Sequence, residues 1–313
     1  MSPTVSGGPA ASSTTATPFP GFEARELPTS RGTVHAVVGG GGPPLLLLHG
    51  YPQSHLMWHA AAPVLADRHT VVAADLAGYG ASFRPTPTPD HAAHAKRAMA
   101  LDQVEAMAAL GFDRFDVAGH DRGGRVAYRM ALDHADRVRR LAVLDIVPTG
   151  EVWRRVDREV VRRYWHWSFL AHPAPLPERL IGADPQAYFD LHVRGDMGLG
   201  AAPGRYPTEV LDAYRRVLDD PAAVEAMCED YRAGASVDVA HDDADRQAGR
   251  QIACPVLALW GAHGALGGFY GDVLEVWRPW APDVRGGAVD ATHFLAEDRP
   301  EETASALLDF LGA

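Results

Sequence analysis

The segment that most constrains the fold is Gly119–Arg125, whose sequence is Gly-His-Asp-Arg-Gly-Gly-Arg. It follows a short apolar stretch, Phe115–Ala118, and opens an amphipathic stretch from Arg125 to His134. A Gly-x-nucleophile-x-Gly sequence is typical of a sharp turn from a buried strand into a helix, where small flanking residues let one side chain project. The projecting side chain at this turn is Asp121. The plainer interpretation of the same residues is a glycine-rich turn with an aspartate that caps the helix.

The apolar pattern on both sides of this turn predicts an α/β fold. Short apolar runs alternate with amphipathic stretches such as Ala92 to Leu110. The unbroken run Leu45–Leu48 is typical of a strand that is covered on both faces. This alternation favours a mostly parallel sheet flanked by helices. The predicted strands are Val34–Val38, Leu45–Leu48, Thr70–Ala74, Phe115–Ala118, Leu141–Leu144 and Pro255–Trp260.

The chain divides into three predicted regions. Residues 1–20 are rich in Ser, Thr, Pro, Gly and Ala, which predicts a disordered tail without a part in the chemistry. Residues 21–150 and 251–313 carry the strand and helix alternation and are predicted to form the core. Residues 151–250 are rich in Arg, Trp, Tyr and Asp and show helical spacing without a convincing buried strand. This middle region is predicted to be an inserted helical lid.

Charge and composition exclude several kinds of partner. The chain has 29 Lys and Arg residues against 40 Asp and Glu residues, a net charge of −11, which is a poor field for nucleic acid or an anionic membrane. Any anionic ligand must therefore be held by local cations. No apolar run approaches the roughly 20 residues needed to span a bilayer. Cys228 and Cys254 fit neither a disulfide framework nor a metal-ligand spacing, so we expect a cytoplasmic protein without a metal or cofactor.

Two further residues complete a candidate catalytic set with Asp121. His293, near the C-terminus in Asp290–Phe294, follows the last predicted strand and is the predicted base. Many hydrolases with this turn carry an acid after the strand that here ends at Trp260, but the next residues supply none. Asp145, at the end of the preceding strand, is therefore the candidate acid. The chain order of the three residues matches nucleophile, acid and base.

A carboxylate at the turn indicates attack on saturated carbon and not on a carbonyl group. Because Asp121 would displace a leaving group and form an alkyl ester, the expected substrates carry a carbon–halogen bond or an epoxide. Water activated by His293 would then attack the ester carbonyl. The oxyanion is expected to be held by two backbone N–H groups, that of Tyr51 in His49–Pro52 and that of Arg122.

The chain resembles the haloacetate (fluoroacetate) dehalogenases of the α/β-hydrolase superfamily from about Phe22 to the C-terminus. The matching segments are His49–Gln53, Gly119–Arg125, Leu144–Thr149, Tyr164–Phe169, Cys228–Arg232 and Thr292–Phe294. The resemblance implies an α/β-hydrolase fold with a helical lid and hydrolysis of a small haloacid to glycolate and halide. It also implies that the enzyme needs no cofactor and forms a homodimer.

The family likeness also supplies roles for residues outside the catalytic set. Arg122 and Arg125 lie three residues apart in the first turn of the predicted helix, and we expect them to clamp the substrate carboxylate. The resemblance assigns the binding of the leaving halide to His166, Trp167 and Tyr231, which offer N–H or O–H donors.

Two positions depart from the family pattern. Val152 stands where the family usually has a tyrosine, and the lid segment 192–196 lacks a tryptophan that the family usually has there. Both family residues help to close the pocket. Their absence predicts room for larger or substituted 2-haloacids and weaker activity on the fluoro compound.

Other functions use some of the same residues. An epoxide hydrolase would use Asp121 and His293, with Tyr231 and either Tyr164 or Tyr188 protonating the epoxide, but it would leave the two arginines without a task. A haloalkane dehalogenase also has no need of an arginine pair. A ligand-binding relative that has lost turnover is the alternative outside enzymes, and a serine esterase is disfavoured because an aspartate occupies the nucleophile position.

Overall fold

An eight-stranded sheet forms the centre of the computed structural model, which describes residues 18–202 and 204–312. Its strands are β1 (Glu23–Pro28), β2 (Thr33–Gly40), β3 (Pro44–Leu48), β4 (Thr70–Ala74), β5 (Phe115–His120), β6 (Val138–Leu144), β7 (Val256–Gly261) and β8 (Val284–Val289). The strand order is β1-β2-β4-β3-β5-β6-β7-β8. Strands β3 to β8 pair in parallel, and β2 pairs antiparallel with β1 and β4. The predicted α/β class with a mostly parallel sheet is confirmed.

The two strands at the edges of the sheet, β1 and β8, are not among the predicted strands. Most residues of β1 are exposed, and β8 contains Gly286 and Gly287 and is only partly covered. An edge strand packs on fewer neighbours than a central strand, so it does not need a continuous apolar run. The buried central strands, in contrast, lie where the apolar runs predicted them.

Helices cover both faces of the sheet. They are α1 (Ala61–Ala66), α2 (Lys96–Ala109), α3 (Asp121–Asp133), α4 (Thr149–Arg154), α5 (Arg158–Arg163), α6 (Trp165–Leu170), α7 (Leu176–Ala183), α8 (Pro185–Tyr188), α9 (Thr208–Arg216), α10 (Pro221–Gly234), α11 (Val237–Gln247), α12 (Leu266–Tyr270), α13 (Val273–Trp277), α14 (Leu295–Asp298) and α15 (Pro300–Leu311). Short 3₁₀ segments lie at His55–Trp58, Ala92–His94 and Val217–Asp219, and a π-helical segment lies at Phe189–Asp196. Among the helices so described, none is long and apolar enough to cross a bilayer.

The core consists of two apolar clusters, one on each side of the sheet. Leu46 and Leu48 of β3 belong to one cluster, whereas Leu45 and Leu47 belong to the other. All four side chains are fully buried. Because successive side chains of a strand point to opposite faces, a strand between two covered faces must be apolar at every position.

The region between β6 and β7 contains helices α4 to α11 and no strand among its described residues. Its assignment as a lid over 151–250 stays a prediction. Most of the predicted tail, residues 1–17, lies outside the described residues. Phe19 is buried in one of the two apolar clusters, and its ring centre lies 5.5 Å from that of Phe22. The packed chain therefore begins before residue 21, because burying an aromatic ring stabilises even a short terminal segment.

Candidate active site

The candidate nucleophile lies at the tight turn between β5 and α3. Asp121 begins α3 with a φ of 45°, in the left-handed region that costs about 1–3 kcal/mol for a residue other than glycine. Glycines make the turn possible. A Cβ on Gly119 would lie 2.4 Å from the carbonyl oxygen of Gly123, and a Cβ on Gly123 would lie 2.4 Å from that of His49. The two glycines therefore let the strand, the turn and the first helical turn approach each other.

The carboxylate of Asp121 lies against the loop that follows β3. The backbone N–H of Tyr51 donates to Asp121 Oδ2 at 3.0 Å. Tyr51 is one of the two predicted oxyanion donors, and its N–H contacts the carboxylate of Asp121. Arg122, which carries the other predicted donor, is the next residue in α3. The loop is close because Gly50 has no side chain: a Cβ there would lie 2.6 Å from the Cβ of Asp121.

Asp121 is ionised although its side chain is almost fully buried. Burial by itself raises the pKa of a carboxyl group. The nearby His293 and Arg122, with smaller effects from His120 and Arg125, outweigh burial and lower the pKa of Asp121 to about 2. At neutral pH the turn therefore presents a buried carboxylate, which is the form that can attack carbon.

His293 and Asp145 form a short hydrogen bond beside the nucleophile. His293 Nδ1 lies 2.5 Å from Asp145 Oδ2, and the N–H of Gly261 donates to Asp145 Oδ1 at 2.9 Å. Burial lowers the pKa of His293, but the bond to Asp145 and the negative charges of Asp145 and Asp121 raise it above its ordinary value overall. The three predicted catalytic side chains thus lie together, with the acid orienting the imidazole.

His120 is a site residue to which the sequence predictions give no role. Its Nε2–H donates to the backbone carbonyl of His293 at 2.8 Å, and the two ring centres are 4.5 Å apart. Burial lowers the pKa of His120 to about 3, so the ring is neutral. This bond holds the loop that carries His293 against the turn. The only sequence signal was its position immediately before Asp121.

A cavity of ≈ 170 Å³ opens beside the nucleophile. It is lined by Asp121, Arg125, Asp145, Arg163, Tyr164, His166, Trp167, Asp196, Met197, Gly198, His263, Gly264, Ala265, Thr292 and His293. Six of the predicted site residues are in this group. The other three predicted site residues, Arg122, Tyr231 and Tyr51, are not in the lining, and their side chains are buried.

Arg125 is the arginine that faces the cavity. Its side chain is buried, and Nη1 donates to the carbonyl of Val147 at 3.0 Å and to Thr149 Oγ1 at 3.2 Å. The guanidinium carbon lies 4.5 Å from the ring centre of Trp167. Its Nε has no hydrogen-bond partner within the described chain. The arginine is therefore held on one side and has an unused donor on another.

Arg122 is fully buried and is held by a carboxylate of the α10 helix. Its Nε donates to Asp230 Oδ2 at 2.8 Å, and its Nη2 donates to Asp230 Oδ1 at 2.9 Å. Its guanidinium carbon lies 4.2 Å from the ring centre of Tyr231. Nη1 has no partner among the residues described. Neither arginine extends into solvent, but the pair is not equivalent, because only Arg125 lines the cavity.

The three predicted halide donors pack together on one side of the nucleophile. The ring centre of Tyr231 lies 5.8 Å from that of His166 and 6.2 Å from that of Trp167. Burial, with a smaller effect of the neighbouring His192, lowers the pKa of His166 well below its ordinary value, so its ring is neutral. A neutral imidazole offers one N–H donor.

The two departures from the family pattern both lie next to this group. Val152 is buried and lines a void of ≈ 20 Å³ behind Tyr164 and Trp167, two rings that also line the cavity. In the 192–196 segment, His192 is buried and its ring centre lies 4.7 Å from that of His166. Val152 therefore lines a small void beside two cavity-lining rings, and the 192–196 segment places a histidine next to the predicted halide donor His166.

One group of potential metal ligands lies among the described residues, away from the cavity. His35, His55 and Asp75 place ligand atoms within 4.8 Å of one another. Asp75 Oδ1 already accepts the backbone N–H of His55 at 2.7 Å and lies 2.9 Å from His55 Nδ1, and Oδ2 accepts the N–H of Ala81 at 2.9 Å. Asp75 therefore uses both carboxylate oxygens to connect the segment of His55 with the loop of Ala81, which explains its burial without a metal ion.

Comparisons with known proteins agree with this geometry. Residues 43–300 match the family model of the alpha/beta hydrolase fold. A fluoroacetate dehalogenase from Burkholderia sp is 48% identical over 293 residues, which cover 94% of this chain and 95% of that protein. A soluble epoxide hydrolase from Corynebacterium sp. (strain C12) is 33% identical over 282 residues, which cover 88% of this chain and 93% of that protein.

Solved structures give the same result. A candidate alpha/beta hydrolase from Nostoc sp PCC 7120 has a TM-score of 0.89 at 48% identity, covering 93% of this chain and 98% of that chain. The predicted resemblance to the haloacetate dehalogenases is confirmed by the relative from Burkholderia sp. This chain belongs to the α/β hydrolase family.

Proposed function

We propose that this protein is a hydrolytic dehalogenase that converts a haloacetate to glycolate and halide with Asp121 as nucleophile. The observation that carries the proposal is the buried, ionised carboxylate of Asp121 at the turn, next to a histidine that is bound to a second carboxylate. A serine at the turn would indicate attack on carbonyl groups, whereas a carboxylate is suited to displacement at saturated carbon. The relative from Burkholderia sp that is 48% identical is a fluoroacetate dehalogenase.

In the first half-reaction an oxygen of Asp121 forms a bond to the substrate carbon, and the halide leaves with the electron pair of the carbon–halogen bond. The product is an alkyl ester on Asp121. The proposed donors to the departing halide are His166, Trp167 and Tyr231. Their close packing supports the proposal, because fixed donors stabilise the developing charge without further reorganisation.

In the second half-reaction His293 removes a proton from water, which attacks the ester carbonyl of Asp121. The raised pKa of His293 supports its role as the base. The N–H of Tyr51, already 3.0 Å from Asp121 Oδ2, and the N–H of Arg122 are the proposed oxyanion donors. His293 then returns the proton to the departing glycolate oxygen, which belonged to Asp121. The oxygen of water stays in the Asp121 carboxylate, which loses the remaining proton of water to solvent.

The two arginines are proposed to bind the carboxylate of the substrate. Two carboxylates about 4 Å apart repel each other by roughly 4 kcal/mol at an effective dielectric constant near 20. A haloacetate can therefore approach Asp121 only if cations offset this repulsion. Arg125 supplies one at the cavity wall, and Arg122, which is buried against the ring of Tyr231, supplies the other.

A single turnover in heavy-oxygen water with excess enzyme tests covalent catalysis. The label is expected in the peptide that contains Asp121 and not in the first glycolate formed. Asp121→Asn should release no halide, and His293→Asn should release one equivalent and retain the ester. Labelled glycolate with an unlabelled Asp121 peptide would show direct attack by water and would exclude the proposed mechanism.

Epoxide hydrolysis is the second candidate function. It is favoured by the 33% identical relative and by Tyr164, which lines the cavity and whose pKa is raised mainly by burial, so that it is protonated. Tyr188, the alternative second tyrosine beside Tyr231, is less available, because its hydroxyl shares a hydrogen bond of 2.8 Å with the hydroxyl of Tyr51. Offering chloroacetate and styrene oxide separately distinguishes the two functions, since chloride release without diol formation supports the dehalogenase.

A cytoplasmic location and a homodimer are part of the same proposal. Both cysteines are free, which fits a reducing compartment. The resemblance to the family supports the dimer. Size-exclusion chromatography with light scattering tests the oligomeric state, and a mass equal to one chain at micromolar concentration would exclude a stable dimer.

A further inference from the structure

Four charged side chains form a buried cluster behind the nucleophile turn. They are Lys96 in α2, Arg122 in α3, Asp230 in α10 and Asp238 in α11, and we refer to them as the charge tetrad. None of the four side chains is more than 3% exposed. Buried charges are costly unless they are paired and hydrogen-bonded. The mechanism above uses only Arg122, so the other three need an explanation.

Asp230 is the centre of the tetrad. Its carboxylate accepts from Arg122 Nε and Nη2, from the Tyr79 hydroxyl at 2.7 Å, and from Lys96 Nζ. Four donors use the acceptor capacity of a carboxylate. Burial raises the pKa of Asp230, but Arg122 and Lys96 outweigh it and hold this pKa well below its ordinary range.

One edge of the Arg122 guanidinium is held by hydrogen bonds, and the other edge carries a donor without an acceptor. Nε and Nη2 form the edge that pairs with Asp230, and Nη2 also donates to the backbone carbonyl of Asp230 at 2.8 Å. The ring of Tyr231 covers one face. Nη1 is buried and finds no acceptor within the described residues. A buried charged donor without an acceptor is unfavourable, so an anionic ligand that reaches this atom would gain binding energy.

The tetrad has no net charge, because its two cations, Lys96 and Arg122, are matched by its two carboxylates. Asp230 alone would neutralise Arg122 and reduce its attraction for a second carboxylate. Lys96 Nζ donates to Asp230 Oδ1, the oxygen that also accepts from Arg122 Nη2, and it lies 3.3 Å from Asp238 Oδ2. Asp230 therefore divides its charge between two cations. Asp238 also accepts the backbone N–H of Lys96 at 2.8 Å, which holds the lysine in place at the start of α2.

We propose that Asp230 and Lys96 are positioning residues of the substrate clamp. Asp230 holds Arg122 by one edge, and Lys96 offsets the charge of Asp230 so that the other edge can attract the substrate carboxylate. Because Asp230 precedes Tyr231, one turn of α10 positions both this arginine and a proposed halide donor. The inference rests on the proposed function, which gives Arg122 a carboxylate as ligand.

Charge-changing variants at Lys96 and Asp238 test the inference without turnover. The probe is acetate, an unreactive carboxylate, and its dissociation constant is measured by NMR titration with acetamide as the neutral control. Lys96→Met adds a net negative charge, so we expect about tenfold weaker acetate binding. Asp238→Asn removes a negative charge and keeps an oxygen for the N–H of Lys96, so acetate should bind several-fold more tightly. Acetamide binding should not change.

The double variant Lys96→Met with Asp238→Asn separates charge from packing. It restores the net charge of the tetrad, and acetate binding should return close to that of the wild type. Equal weakening in the single and double variants would indicate a packing role and would overturn the inference. If Lys96→Met does not fold, Asp238→Asn alone decides, since unchanged or weaker acetate binding contradicts the proposed charge effect.

The outcomes also separate this inference from the proposed function. A wild type that releases halide from chloroacetate while acetate binding is the same in all variants overturns the inference alone. If acetate binding changes across the variants as expected but the wild type releases no halide from chloroacetate, the dehalogenase function alone is overturned. A wild type that does not bind acetate overturns the inference.

Discussion

Replacing Asp145 with asparagine should separate the two half-reactions. Asp145 Oδ2 lies 2.5 Å from His293 Nδ1, and Oδ1 is occupied by the N–H of Gly261 at 2.9 Å. In Asp145→Asn the amide oxygen can keep the bond to Gly261, so the NH₂ group faces the imidazole. The ring then loses its charged acceptor and must adopt the other tautomer to accept from the amide.

The size of the effect follows from the lost bond. A hydrogen bond to a charged group contributes about 1.5–3 kcal/mol, which is roughly a 10- to 100-fold change in rate. The wrong tautomer adds to this loss, and the corresponding change in serine proteases lowers turnover about 10⁴-fold. Hydrolysis of the ester, which needs His293 as base, should slow by this combined factor. Attack by Asp121 needs no base and should stay fast.

Rapid-quench halide measurements with chloroacetate test this difference. Asp145→Asn should release one halide per active site in a fast burst, followed by slow turnover, and mass spectrometry should detect the alkylated peptide of Asp121. Asp290→Asn is the matched control, because Asp290 is exposed and pairs with His263 and Arg299 outside the catalytic set. Loss of the burst in Asp145→Asn, with both steps slowed equally, would refute the assignment of His293 to the second step.

Three further predictions concern pH and packing. Because Asp145 raises the pKa of His293, steady-state turnover should rise with pH as the imidazole loses its proton, and Asp145→Asn should move the midpoint of this rise to lower pH in a pH–rate profile. Gly50→Ala places a Cβ 2.6 Å from that of Asp121, so kcat should fall at least about 100-fold while circular dichroism stays native. Burial raises the pKa of Glu297 well above its ordinary value, so the fold loses stability as pH rises and the unfolded state loses this proton first. Glu297→Gln should therefore raise Tm relative to the wild type more at pH 8 than at pH 5. An equal shift of Tm at both pH values would contradict this prediction.

The central features of this protein could be predicted from local sequence. The glycines around Asp121 specify the turn because a Cβ at either side would overlap the backbone, and this constraint acts over a few residues. The run Leu45–Leu48 indicates a strand with two covered faces because side chains alternate along a strand. The choice of Asp145 also followed from sequence, since the residues directly after Trp260, Gly261–Gly264, include no acid.

The partners of the two arginines were decided only by the tertiary structure. Arg122 and Arg125 look equivalent in sequence, yet Arg122 pairs with Asp230, 108 positions away, while only Arg125 lines the cavity. Lys96 carries no motif that would single it out. The physical reason is that a buried charge takes its properties from the groups packed around it, and those groups come from helices that meet only after the chain has folded.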